Sequence, residues 1–420
     1  MKAIILTIGD ELLIGQVVDT NSAWLAEQFT LNNIEVVSKI TISDSIQVFK
    51  ESLDYYLPQT DIIVTTGGLG PTNDDYTVEA LSAYFGFSLE FHQPSWDRIE
   101  GYFKRRNKTP GEGIKKQCLL PVEMTKLVND LGTAPGLYHS FNGKHIISLP
   151  GVPYEMKHLF TDRFLPIVKP LIKGEYLEQR TILTCGMGET DIAEKILDIE
   201  TGLPQHINLA FLPDIGKVRL RLSGRGTDKN ILSTEIKQIG DQIIERIGDC
   251  YYGEGKTHLV DTLRQMMIER NLTLGLAESC TGGHISDQIV SFPNASAFFN
   301  GSVVSYANEV KHNILGVNQE SLASCGAVSE EVVKDMAVGA LSLLGVDIAA
   351  SISGIAGPDG GSEDKPVGTF WMGLARTGCE TRAFKVFFNR DRQRNIQFIT
   401  SFVLNKIRLE LLAWDNDLDS

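Results

Sequence analysis

Twice along this chain short apolar runs alternate with amphipathic helical stretches, and no other feature of the sequence constrains its fold as strongly. Residues 4–8, 35–41, 62–66 and 145–149 read as strands, and 23–31 and 46–57 as amphipathic helices. Such alternation makes a layered domain with a largely parallel sheet, in which ligands bind beyond the C-terminal strand ends. The pattern returns from residue 257 to 412. In the helix 329–344, Val332, Val333, Met336, Ala337, Ala340, Leu341 and Leu344 recur with helical period, and a strand at 348–352 follows directly. Strands at 368–374 and 382–388 precede a terminal helix with Ile396, Ile399, Phe402, Val403, Ile407 and Leu411 on one side. Residues 177–253 have a different texture, with strands at 180–185 and 217–223 and helices at 190–197 and 228–247. The expected fold class is α/β: two three-layer α/β domains, residues 1–170 and 257–415, joined by a small α+β domain at 177–253. The Gly-bearing stretch Tyr252-Gly253-Glu254-Gly255-Lys256 reads as the second boundary.

Composition narrows the function. The 420 residues exceed one ordinary core and suggest about two to three domains. A net charge of −14 argues against a sequence-independent nucleic-acid binder, which needs basic surface to displace counterions. Small anionic substrates need only a local basic pocket. The apolar run 3–8 is cut off by Asp10 and Glu11, too early for a signal-peptide core or a membrane span, so no membrane association and a cytoplasmic location are expected. Six scattered cysteines without CxxC spacing suggest neither a disulfide framework nor a zinc site.

Chemistry is concentrated near the C-terminal half's first strand. In Ala277-Glu278-Ser279-Cys280-Thr281-Gly282-Gly283 an apolar run breaks into a glycine pair, which places Ser279 at a strand-to-helix turn beside free backbone N–H groups. Those donors suit a developing oxyanion or a phosphate. A second segment, 301–311, reads as a strand ending at Tyr306 and a helix that presents Lys311. A serine hydroxyl is a weak nucleophile until a base takes its proton, and a desolvated lysine can be that base. The ordinary fate of a lysine is a solvated surface, so the assignment needs burial. Cys280, with His284 a helical turn beyond, is the rival nucleophile, and strand alternation lets only one of residues 279 and 280 face a pocket. A third segment, 351–361, opens a strand into a glycine-rich loop that ends at Lys365.

The motifs AESCTGG, GSVVSYANEVK, GAVSEEVV and SGIAGPDGGSEDKPVGT resemble the nicotinamide-nucleotide amidase (PncC) domain of the CinA family. The resemblance implies deamidation of nicotinamide mononucleotide to nicotinate mononucleotide and ammonia, without a cofactor. It implies catalytic roles for Ser279, Lys311 and Tyr306. Substrate contacts are extrapolated from it to Thr281, Gly282, Gly283, Asn308, Ser353, Gly354 and Gly357.

Three N-terminal motifs lie at expected strand ends: 9–11, 66–75 and 149–155. Their glycines admit an anionic ligand to the backbone, and carboxylates there could hold a divalent cation against it. For Asp74 or Asp75 alone, helix capping is an equally good account. The whole pattern resembles the molybdopterin-binding fold of MoaB and MogA, in which a glycine loop and the following aspartate bind pterin phosphate. Within the CinA family this domain is associated with metal-dependent ADP-ribose pyrophosphatase activity. The resemblance implies nucleotide contacts at Gly67, Gly68, Gly70, Thr72 and Gly151. The carboxylates at these strand ends that could hold the metal are Asp10, Glu11, Asp44, Asp74 and Asp75, with the metal's identity open and potassium an accompanying candidate. Asp44 and Asp75 align best with the acidic positions of the molybdopterin relatives.

The middle block carries Gly186-Met187-Gly188-Glu189, which resembles the loop of RNA-binding KH domains, yet Glu189 and Asp191 stand where basic residues would be wanted. A structural connector is the better reading. The family resemblance further implies a homodimer acting on small nucleotides in NAD salvage. The competing class is a non-catalytic interaction protein, either competence-associated or binding a pterin or nucleotide, which would not require Ser279 and Lys311 together.

Overall fold

The computed structural model describes all residues except 73, 74, 173, 419 and 420. It is a mixed α/β protein built on three larger sheets, and it divides into two compact units. One is Met1–Leu177 with Gly226–Asp228; the other is Glu178–Arg225 with Lys229–Ser420.

The N-terminal sheet has six strands. β1 (Lys2–Ile8), β2 (Glu35–Ile42), β3 (Ile62–Thr66), β4 (Thr125–Leu127), β5 (Gly136–Phe141) and β6 (Lys144–Leu149) stand in the order β2-β1-β3-β6-β5-β4. The first four in that order run parallel, and β5 and β4 add antiparallel. Successive residues of β1 serve opposite faces, as a two-residue repeat requires. Ala3 and Ile5 pack with Leu25 and Phe29 of α1 (Thr20–Leu31), while Ile4 and Leu6 pack with Phe49 and Leu53 of α2 (Ile46–Tyr56). The sheet is therefore the middle of three layers. The antiparallel strands β4 and β5 were not among the expected elements, which included only 145–149 in this stretch; β5 joins β6 through the two-residue turn Asn142-Gly143.

A four-stranded sheet, β7 (Tyr176–Cys185), β8 (Ile207–Asp214), β9 (Lys217–Gly226) and β10 (Tyr251–Glu254), lies mostly in the second unit, with β8 antiparallel to β9 and β10 to β7, and is covered by the helix Lys229–Ile247. Residues 252–254, read above as boundary, belong to β10, where Tyr251 pairs with Thr184 and Glu254 with Ile182.

The C-terminal sheet holds β11 (Leu274–Glu278), β12 (Phe299–Val304), β13 (Ile348–Gly354), β14 (Thr369–Arg376) and β15 (Arg382–Phe387) in the order β12-β11-β13-β14-β15. The first three are parallel. Leu274 and Leu276 face a core shared with α3 (Leu259–Glu269), α4 (His284–Val290) and α7 (Arg392–Leu418). Ala277 faces a second core with α6 (Glu330–Leu344), while α5 (Asn308–Leu315) follows β12. Among the described residues no helix is long and apolar enough to cross a membrane.

Candidate active site

Register gathers the C-terminal site. Glu278 pairs with Val304 on one side and Ile352 on the other, so Ser279, Ser305 and Ser353 emerge side by side at one sheet edge. Backbone bonds fix them: Ser279 N–H donates to Ile352 O at 3.0 Å, and Ser305 N–H to Glu278 O at 2.8 Å. β12 stops at Val304, two residues before Tyr306, and α5 then carries Lys311 back under that edge.

Lys311 is 1 % exposed and Ser279 8 % exposed, and Nζ lies 3.0 Å from Ser279 Oγ. Its other two contacts are the main-chain oxygens of Ser305, 2.7 Å, and Tyr306, 3.1 Å. Burial holds this amine below the ordinary lysine range, against a smaller opposing pull from Cys280. As a neutral amine Lys311 has two N–H groups for the two carbonyls, which leaves its lone pair for the serine proton. That is the arrangement a general base requires.

The turn 279–283 is set by Glu278, a residue the sequence reading passed over. Its fully buried carboxylate accepts from the N–H groups of Gly283, Ile285 and Ser286, holding the first turn of α4; the hydroxyl of Ser286 also donates to it. Gly282 and Gly283 have φ of +61° and +98°, and a Cβ at Gly282 would meet only open space, so backbone there is approachable. Beside the pair the hydroxyls of Thr281 and Ser305 are buried with no partner, an unusual state for a native interior.

Other expected residues fall differently. Cys280 packs into the hydrophobic core, and burial pushes its thiol up to about 12, which disfavours a thiolate there. His284 lines a cleft with Lys217 and His258, of which neither Ser279 nor Lys311 is a lining residue. Tyr306 is 65 % exposed, and what this residue gives the pair is its carbonyl oxygen. Asn308 is exposed at the start of α5. Ser353 is buried at the same edge. Gly354 and Gly357 answer to packing: a Cβ would lie 2.1 Å from the Phe370 ring at the first and 2.6 Å from Val367 at the second. Lys365 donates to Cys325 O, which ties the glycine-rich loop to the GAVSEEVV segment.

The N-terminal strand ends border a cavity of about 380 Å³. Glu11, Asp44, Gly67, Gly68, Gly70, Asp75 and Gly151 line it; Asp10 and Thr72 do not, and Asp74 lies outside the described residues. Gln117 and Glu155 line it too. Glu155, quoted in a motif but given no role, is 8 % exposed and accepts from Asn129 Nδ2 at 2.6 Å; nothing in the sequence marked Gln117. Two loop glycines are demanded by the protein itself, since a Cβ would lie 2.3 Å from Ile8 O at Gly67 and 2.3 Å from Thr77 Oγ1 at Gly68.

The carboxylates there have structural work. Asp75 accepts from Gly70 N–H and Thr72 N–H, both at 2.8 Å, and closes the glycine loop rather than capping a helix. Asp10 and Asp44 each accept from the other's backbone N–H. Among the described residues, which leave out Asp74, no three carboxylate, histidine or cysteine side chains converge as a metal site.

Fold and site together define a three-part α/β protein. Family models match in the same sequence: "Probable molybdopterin binding domain" over residues 4–170, "Damage-inducible protein CinA KH domain" over 179–253, and "CinA C-terminal domain" over 256–411. The chain is 40% identical over 407 residues to a CinA-like protein of Cytophaga hutchinsonii, covering 97% of each. It is 37% identical over 403 residues to a CinA-like protein of Chlorobaculum tepidum, covering 94% of this chain and 95% of that one. A crystal structure of a competence-damaged protein (CinA) superfamily protein from Klebsiella pneumoniae is 35% identical and covers 37% of this chain and 97% of its own, with a TM-score of 0.36. The chain belongs to the CinA-like protein family.

Proposed function

We propose that the C-terminal domain is an amidohydrolase that converts nicotinamide mononucleotide and water to nicotinate mononucleotide and ammonia. The observation that carries the reaction type is the buried contact of Lys311 Nζ with Ser279 Oγ, with both remaining amine positions directed at carbonyls. Neutral Lys311 takes the hydroxyl proton as Ser279 Oγ bonds to the carboxamide carbon. The N–H groups of Gly282 and Gly283 are taken by Ser279 O and the Glu278 carboxylate, so the donors offered to the tetrahedral oxyanion are the partnerless hydroxyls of Thr281 and Ser305. Lys311 returns the proton to the nitrogen as the C–N bond breaks, and ammonia leaves. Water, deprotonated by the same amine, then cleaves the serine ester and releases the carboxylic acid. The choice of substrate rests on the likeness of AESCTGG and its companion motifs to nicotinamide-nucleotide amidases.

The test is ammonia release from nicotinamide mononucleotide by the full-length protein. Saturable release with one nicotinate mononucleotide per ammonia supports the reading, and no release above buffer sinks it.

The cavity at the N-terminal strand ends favours a second reading, binding and cleavage of ADP-ribose, which would place both activities in NAD salvage. Added divalent ion would supply charge neutralisation on the diphosphate, with Glu11, Asp44, Asp75 and Glu155 the carboxylates that border the cavity. Formation of AMP from ADP-ribose, dependent on added metal and retained by Ser279→Ala, is the expected result. Absence of both AMP and ADP-ribose binding reduces this domain to a scaffold.

A further inference from the structure

Within the second unit a cleft of about 270 Å³ opens between the β8–β9 hairpin and helices α3, α4 and α7. We propose that it binds a small phosphorylated metabolite. Lys217 enters from the hairpin, and two imidazoles, His258 and His284, from the starts of α3 and α4. One ring nitrogen of His258 accepts the N–H of Asp261 in a capping box, so in the neutral ring the other nitrogen carries the proton and donates. Its ring also packs on Phe292 at 4.9 Å between centroids, a flat wall to the cleft.

The one lining carboxylate, Asp214, accepts from the N–H of Ile215 in its own turn at 2.8 Å. A carboxylate that accepts a hydrogen bond keeps its charge, so an anion here must be met by Lys217 and the two imidazole donors turned to it. The cleft also holds an unpartnered group: Thr400, 4 % exposed, has a hydroxyl without a hydrogen-bond partner. A buried hydroxyl left so is costly unless something completes it. A bare oxyanion would fill only part of the volume, and the remaining wall, Phe292 included, suits an attached organic group. Neither Ser279 nor Lys311 is among the residues that line this cleft.

Full-length protein labelled at the imidazole nitrogens, titrated with ribose 5-phosphate and separately with inorganic phosphate, tests the site by NMR. His258→Gln and His284→Gln assign the resonances. Both imidazoles should shift on one isotherm, more tightly for the sugar phosphate, and Lys217→Met should weaken it about tenfold, the loss of one charge-assisted hydrogen bond. Thr400→Val should weaken binding while the thermal midpoint holds or rises. Unmoved His258 and His284 signals, wild-type affinity in Lys217→Met, or a lowered midpoint with unchanged affinity in Thr400→Val would overturn the site. Equal affinity for inorganic phosphate would overturn the assignment to a metabolite.

Discussion

Among single residues, the chemistry turns on burial. Ser279 and Lys311 were legible because their motifs are long and each residue type has few catalytic uses. The contest with Cys280 was not, since alternation says that neighbours part but not which one meets a core. The core takes Cys280. Glu278 escaped notice because a carboxylate closing an apolar strand looks like the return of solvent; only three-dimensional folding shows it against the first turn of α4. The lowered Lys311 value has a thermodynamic signature. Between its folded value and the ordinary lysine range, the unfolded chain binds a proton that the folded chain does not, so stability rises with pH across that window. Activity, which needs the neutral amine, rises with pH through the folded value. In urea unfolding across alkaline pH, Lys311→Met should abolish turnover and make the rise in stability shallower by one group. An unchanged slope would contradict a depressed Lys311.

Among strands, helices and turns, those with clear periodicity were read closely, and short pieces defined by pairing were not. β10 is four residues with a glycine, so its sequence signals a linker; its pairing with β7 makes it a strand. The glycines divide by environment in a way sequence cannot show. Gly67, with φ +114° and Ile8 O against its Cβ position, should lose about 2 kcal/mol or more of N-terminal domain stability as Ala, from backbone strain plus the clash. Gly282, with φ +61° and open space, should lose about 1 kcal/mol as Ala. Denaturant unfolding of both variants checks the order, and equal losses would refute the distinction.

Across the full chain, the three-part organisation could be read from alternation and its interruption. The way the KH-like part joins the C-terminal domain could not, because it depends on contacts between residues far apart in sequence. Arg408 of α7, 2 % exposed, donates to the carbonyl oxygens of Tyr251 and Asp249 and to Asn405 Oδ1. Asn405 in turn fills the space beside Gly186, where a Cβ would lie 2.6 Å from its Nδ2, so the loop that resembles an RNA-gripping one packs on the protein's own helix. Arg408→Leu leaves those acceptors without donors and should cost roughly 3 kcal/mol. A thermal unfolding scan should show that loss in the transition of the second unit, with the N-terminal transition unmoved. A shift in the N-terminal transition alone would contradict the division into these units.

An alcohol and a buried neutral amine, on the reading proposed for this chain, carry out the hydrolysis. The decisive comparison is kcat for ammonia release from nicotinamide mononucleotide by Ser279→Ala and Cys280→Ala, each with wild-type circular dichroism. Ser279→Ala should fall by at least about 1,000-fold, whereas Cys280→Ala, whose change is confined to packing, should stay within about tenfold. The reverse order, with Ser279→Ala active and Cys280→Ala dead, would contradict it.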